Sequence, residues 1–95
     1  MKLAWSTLAL RDFEEATDYI AQDNPMAAQQ IAERIEAATR KLIEYPYIGH
    51  PGDDDNTREW LVRQTPYVLV YEIHGDTLYL SRVWHTRRNR AVLDE

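Results

Sequence analysis

The sequence predicts a small α+β domain: one strand, an antiparallel pair of helices, and then a three-stranded antiparallel meander, in the order β-α-α-β-β-β. Three observations predict it. Apolar residues recur at helical spacing through the first half, Asn24-Pro25 interrupts that spacing, and side chains alternate with a period of two after Pro66. With 95 residues, of which 44% are hydrophobic, the chain can fill one core, so we expect residues 1–95 to form a single domain.

The first two elements are a short strand and a helix. Lys2–Trp5 is predicted as the strand, and Ser6 is a favourable N-cap for a helix over residues 6–22. Spacings of i, i+4, i+7 and i+11 place one apolar stripe on this helix, formed by Ala9, Phe13, Ala16 and Ile20. That stripe is expected to pack on the sheet.

The second helix is predicted over residues 24–45, with Asn24 as N-cap and Pro25 at the first helical position. It ends before Pro46, which disfavours helix in the preceding residue. Its apolar stripe consists of Ala28, Ile31, Ile35, Ala38 and Leu42. A second interpretation stays open, because the alanines at 27, 28, 32, 37 and 38 would also allow a partner helix to approach closely.

Residues 46–56 are predicted as the loop before the meander, since they are rich in Pro, Gly and Asp. Three consecutive acids at 53–55 cannot converge on one ion and lack the alternation of a calcium loop, so they indicate a solvated charge run. His50 has no matching ligand at metal spacing. We expect neither a metal site nor a cofactor.

The meander is predicted from residues 57–64, 66–74 and 77–84, with the last two strands joined by a turn at Gly75-Asp76. The middle strand is apolar on both faces as far as Glu72, which is typical of a central strand. Arg82 is expected in phase with Leu80 and Trp84, with its head paired to an acid such as Glu59 or Glu72.

Charge is distributed unevenly along the chain. Residues 1–56 carry a formal charge of −6 and residues 57–95 carry +1, while four arginines and no acid lie between Arg82 and Arg90. An acidic protein with one basic segment is poorly suited to stable direct binding of nucleic acid, which favours a broad positive surface. A protein partner with an acidic segment suits it better.

The chain has no cysteine, which suits a reducing compartment. Its first ten residues are too short an apolar run for a signal peptide or a membrane span, and charged residues follow at once. We therefore expect a soluble cytoplasmic protein without a membrane partner.

Four motifs, taken in order and spacing, resemble the RelE/ParE family of bacterial type II toxin–antitoxin toxins, and more closely its ParE-like, plasmid-stabilisation branch. They are the NPxAA start of the second helix, the YPYIGHPG loop, the TRE strand start, and PYVLVY followed by RVWHTRR. The resemblance covers nearly the whole chain. It implies a compact α+β toxin that a cognate antitoxin holds inactive.

Two chemistries occur in that family, and the resemblance favours one. RelE-like members are ribosome-dependent mRNA endonucleases, whereas ParE-like members act on DNA gyrase. The nuclease branch places an arginine in the central strand, one position after Tyr67, where this chain has Val68. A valine cannot stabilise a transferring phosphate. The resemblance therefore implies a gyrase inhibitor without an active site of its own.

Two alternatives are kept. His85 corresponds to a histidine of some nuclease members, and as the general acid or base of an mRNA endonuclease it would be assisted by Glu59, Arg82 and Arg58. The other alternative is an inactive family member that only binds its antitoxin. For partner binding in any of these cases, the candidates are Arg82, Trp84, His85, Arg87, Arg88, Arg90 and Ala28.

Overall fold

The structure is a computed structural model and describes residues 1–87, which form two helices and one five-stranded sheet. In chain order the elements are β1 (Lys2–Trp5), α1 (Thr7–Ala21), α2 (Pro25–Glu44), β2 (His50–Pro51), β3 (Thr57–Leu61), β4 (Tyr67–His74) and β5 (Thr77–His85). The strand order in the sheet is β1-β5-β4-β3-β2. The predicted α+β architecture and the antiparallel meander of β3, β4 and β5 are confirmed.

The two helices begin where their capping residues predicted. Ser6 Oγ accepts a hydrogen bond from the Ala9 amide at 2.9 Å, and Asn24 Oδ1 accepts one from the Ala27 amide at 3.1 Å. These bonds satisfy amides that have no partner inside the first turn of a helix. Within residues 1–87, neither helix combines the length and the apolar character needed to cross a membrane.

Both apolar stripes pack on one face of the sheet, which we call the helix-side face. The core joins Ala9 of α1 and Ile35 and Leu42 of α2 to Leu69 and Tyr71 of β4. Strand β1 adds Leu3 and Trp5 by pairing in parallel with β5, an arrangement that the sequence analysis did not predict.

The opposite side of the sheet, which we call the outer face, follows from the strand register. Val68 and Val70 alternate with the core residues of β4, and residues directly opposite each other in an antiparallel pair share a face. The outer face of the three central strands therefore carries Glu59, Leu61, Val68, Val70, Arg82 and Trp84.

Two predictions for the segment before β4 were wrong. The predicted loop contains the short strand β2, whose His50 pairs with Glu59. The strand predicted to reach residue 64 ends at Leu61, because the chain turns there: the Thr65 amide donates to the Val62 carbonyl at 3.2 Å. Gln64 has a φ of 61°, which a strand residue does not adopt.

Arg82 shares a face with Trp84 as predicted, but its predicted phase with Leu80 was wrong, because β5 contains a β-bulge. Val70 pairs with Arg82 while the next residue, Tyr71, pairs with Leu80, so Ser81 is the extra residue. Its hydroxyl donates to the Val70 carbonyl at 2.9 Å. Beyond the bulge it is Val83, and not Arg82, that continues the buried row of Leu80.

Candidate functional site

The four residues considered for nuclease chemistry lie on two different faces of the sheet. Arg58 pairs with Tyr71, and His85 pairs with Tyr67 at the other end of β4; both tyrosines belong to the core, so Arg58 and His85 lie on the helix-side face. Glu59 and Arg82 both pair with Val70 and lie on the outer face. Along β4, Tyr67 and Tyr71 are four residues and therefore about 13 Å apart. The structure does not bring the four residues together.

Arg82 is held by Asp12 of α1, and not by Glu59 or Glu72 as predicted. Its Nε and Nη2 donate to the two carboxylate oxygens of Asp12 at 2.8 and 3.0 Å. The same carboxylate accepts the Val83 amide at 3.0 Å, beyond the point where β1 has left the edge of β5. The hydrogen bonds that Arg82 donates to Asp12 raise the pKa of Arg82. Arg82 therefore ties α1 to the sheet edge as one half of a bidentate ion pair.

Arg58 is engaged by the loop before β2. Its Nη1 donates to the carbonyls of Tyr47 and Gly49 at 3.1 and 2.9 Å, and its guanidinium carbon lies 5.1 Å from the centroid of the Tyr47 ring. These contacts give Arg58 a structural function in fixing the loop.

His85 faces a small cavity that is acidic. Its ring meets the Tyr67 ring edge to face at 5.4 Å between centroids, and its Nδ1 accepts the Arg87 amide at 3.1 Å. The cavity has a volume of ≈ 140 Å³, and its described lining is Asp12, Glu15, Ala16, Tyr19, Tyr67, Val83 and His85. Two carboxylates and no lysine or arginine are in that lining. The Asp12 charge is compensated by Arg82, and the described lining offers no lysine or arginine to hold an anionic phosphate.

Val68 lies on the outer face between Leu61 and Trp84, its neighbours across the two strand pairs. Val68 is only 6% exposed, whereas Leu61 is 55% exposed. Trp84 is partly buried, and the guanidinium carbon of Arg82 lies 5.5 Å from its ring centroid. This part of the outer face is an apolar patch, which we call the outer patch, consisting of Leu61, Val68 and Trp84.

The remaining partner-binding candidates that the structure describes differ in how much of their surface is exposed. Arg87 is exposed at the end of β5. Arg88 and Arg90, with the tail from Asn89 onwards, lie outside the described residues. Ala28 is 7% exposed, because it packs within the domain, and it leaves little surface for a partner helix.

Two features were missed by the sequence analysis. One is Asp12, which no local pattern singles out, because its partners lie 70 and 71 positions away. The other is a groove between α2 and the end of β3, where every ionisable lining residue that the structure describes is basic. Arg34 and Lys41 are seven residues apart, a helical spacing that places them on one flank of α2 and that could have been noticed.

Comparison with known proteins places this geometry among toxins. Residues 3–90 match the model of the family described as ParE toxin of type II toxin-antitoxin system, parDE. The chain is 38% identical over 80 residues to the protein Y4kP of Sinorhizobium fredii, itself named a toxin, in an alignment covering 84% of this chain and 83% of that protein. It is 34% identical over 87 residues to toxin RelE2 of Caulobacter vibrioides, covering 92% and 97% of the two chains.

The fold is similar to that of a solved chain of the chromosomal ParDE toxin–antitoxin system from P. aeruginosa. The TM-score is 0.82 at 18% identity, and the match covers 92% of this chain and 97% of that one. The relatives carry both RelE and ParE names, so the choice between the two chemistries depends on the residues of this chain.

Proposed function

We propose that this chain, which belongs to the ParE toxin family of type II toxin–antitoxin systems, inhibits DNA gyrase in the cytoplasm as a protein ligand and is neutralised by a cognate antitoxin. One observation carries the proposal. The position where the family resemblance places the nuclease branch's phosphate-binding arginine is Val68, which is packed between Leu61 and Trp84 on the outer face.

Electrostatics supports the same choice. RNA cleavage by 2′-OH attack needs a base, an acid and a cation around one phosphate. Arg82 is already paired with Asp12, and Arg58 is bonded to loop carbonyls on the other face. His85 shares its cavity with Asp12 and Glu15, and none of the described lining residues is a lysine or arginine that could stabilise the developing negative charge.

The outer patch supports a protein target. Leu61 and the partly buried Trp84 give this surface an apolar centre with an aromatic residue, the composition that is enriched in the buried parts of protein interfaces. A toxin that acts by binding gyrase needs such a surface and needs no catalytic group.

The test measures both activities with the same preparation. Purified wild-type chain is expected to inhibit supercoiling by purified gyrase, or to trap cleaved DNA, and to leave mRNA intact in a translation extract. The protein encoded by the neighbouring reading frame should restore supercoiling when added in excess.

A His85→Ala variant is the control for chemistry, and it should inhibit gyrase as well as the wild type does. Site-specific mRNA cutting that is lost in His85→Ala would instead establish an endonuclease. Binding to the neighbouring gene product without effect on gyrase or mRNA would establish an inactive, antitoxin-binding member.

A further inference from the structure

A groove runs between α2 and the end of β3, on the flank of α2 that does not face α1, and we call it the α2–β3 groove. It has a volume of ≈ 330 Å³ and a mainly apolar surface. Its described lining is Arg34, Ala37, Ala38, Lys41, Trp60, Arg63 and Gln64. The volume reaches the lower limit of about 300 Å³ for pockets that enclose a small ligand, so at least one large side chain fits.

The cations of this groove are positioned around an apolar floor. Arg34 Nη1 donates to the Gln64 carbonyl at 3.0 Å, which fixes its guanidinium at one end. Lys41 Nζ lies 5.4 Å from the centroid of the Trp60 ring. Seven residues of helix separate Arg34 from Lys41, which corresponds to about 10 Å. Arg63 is exposed on the opposite wall.

The side of the groove formed by β3 is open for a chain to enter. Strand β2 pairs only with Arg58 and Glu59, so within residues 1–87 no strand covers the outer edge of β3 at Trp60 and Leu61. A segment lying along this edge would place its side chains over the groove.

Charge complementarity indicates what the groove binds. The chain has a net charge of −5, yet Arg34, Lys41 and Arg63 are the only ionisable residues lining this groove among those described. A nucleic-acid backbone that extends beyond the groove would meet the acidic remainder of the surface. A base stacked on Trp60 is also disfavoured, because Lys41 Nζ already lies over that ring. A short peptide needs only a few carboxylates around one apolar anchor.

We propose that the α2–β3 groove binds an acidic segment of the antitoxin, with a large apolar side chain on Ala37 and Trp60 and carboxylates paired to Arg34, Lys41 and Arg63. This inference rests on the proposed function only in requiring that an antitoxin exists. It places the antitoxin beside the outer patch, because Leu61 of that patch lies on the same edge of β3.

The first measurement separates the two proposals. Wild-type chain is titrated with the protein encoded by the neighbouring reading frame, in a calorimeter at low and moderate salt. A complex whose affinity falls with salt is expected. The absence of any complex would refute the antitoxin pairing itself, before the groove is considered.

Charge reversal then tests the groove. Lys41→Glu with Arg63→Glu should weaken the complex by about tenfold or more, because two favourable contacts become repulsive. Arg40→Glu is the control for one reversed charge, because Arg40 is exposed next to Lys41 but does not line the groove. This variant should change the affinity of the complex by no more than about twofold. Equal effects in the two variants, each confirmed as folded by its melting curve, would overturn the proposal.

Cross-linking locates the segment directly. The chain has no cysteine, so Ala37→Cys provides a single attachment point in the groove for a benzophenone label. We expect cross-links to an acidic segment of the antitoxin, and none from Glu36→Cys, which is exposed on the other flank of α2. Cross-links to another part of the antitoxin, self-cross-links without it, or competition by single-stranded RNA would each reject the acidic segment as the occupant.

Discussion

Replacing Asp12 by alanine is expected to lower the free energy of unfolding by about 2–3 kcal/mol. The substitution leaves the Arg82 guanidinium without its bidentate partner and the Val83 amide without its acceptor, at an edge of β5 that β1 does not cover. The Asp12 side chain is only 15% exposed. Because Arg82 is 33% exposed, water compensates part of the loss, and the cost stays below that of a fully buried pair. Chemical denaturation monitored by tryptophan fluorescence measures it.

The matched control is Asp18→Ala, which removes an exposed carboxylate from the same helix and should change stability by no more than about 0.5 kcal/mol. The double variant Asp12→Ala with Arg82→Ala should be less destabilised than the sum of the single variants, since the two residues are in contact. If Asp12→Ala unfolds like Asp18→Ala, the ion pair does not hold α1 to β5.

The helices could be predicted closely because their signals are local. The side chains of Ser6 and Asn24 accept hydrogen bonds from amides three residues further along, so the chain carries the information in short segments. The apolar stripes of both helices likewise follow from spacing alone, and they are the residues that fill the core.

The sheet was predicted less completely, because its details depend on distant contacts. The parallel pairing of β1 with β5 joins residues more than seventy positions apart. Strand β2 has only two residues and exists through its pairing with β3. No composition pattern of His50-Pro51 distinguishes it from a loop.

The placement of the candidate site depended on one residue, the bulge at Ser81. Without it, strict alternation from Leu80 would place Arg82 on the helix-side face and His85 on the outer face. The extra residue exchanges them, so that Arg82 shares the outer face with Val70 while His85 joins Tyr67. A bulge has no reliable signature in a single sequence, and for that reason the grouping of His85 with Glu59 could not be rejected from the sequence.

The second large effect is expected at Tyr71, a fully buried residue that joins β4 to the loop before β2. Its hydroxyl donates to the Pro46 carbonyl at 2.8 Å and accepts the Gly49 amide at 3.0 Å. Position 49 has no room for a larger residue, because a Cβ there would clash with the phenol ring of Tyr71. Tyr71 and Arg58 therefore hold the same loop through hydrogen bonds to its backbone.

Tyr71→Phe is expected to cost about 2 kcal/mol, because the Gly49 amide loses its partner while buried and the ring itself is kept. Tyr45→Phe is the control, since that ring is exposed and its hydroxyl loss should cost no more than about 0.5 kcal/mol. Gly49→Ala should also destabilise, and combining it with Tyr71→Phe should give less than the sum, because both act on one contact.

The same hydroxyl predicts how stability depends on pH. Burial raises the pKa of Tyr71 above its ordinary value of 10.0, against smaller opposing effects of the Gly49 amide and Arg58. Above pH 10.0 the unfolded chain therefore releases this proton while the folded chain keeps it, and stability falls as the pH rises. Denaturation curves between neutral pH and the alkaline range should show this loss in the wild type and a smaller one in Tyr71→Phe. An equal dependence of stability on pH in the two proteins would mean that Tyr71 ionises as easily in the folded as in the unfolded chain. Its hydroxyl would then not hold the loop by hydrogen bonds.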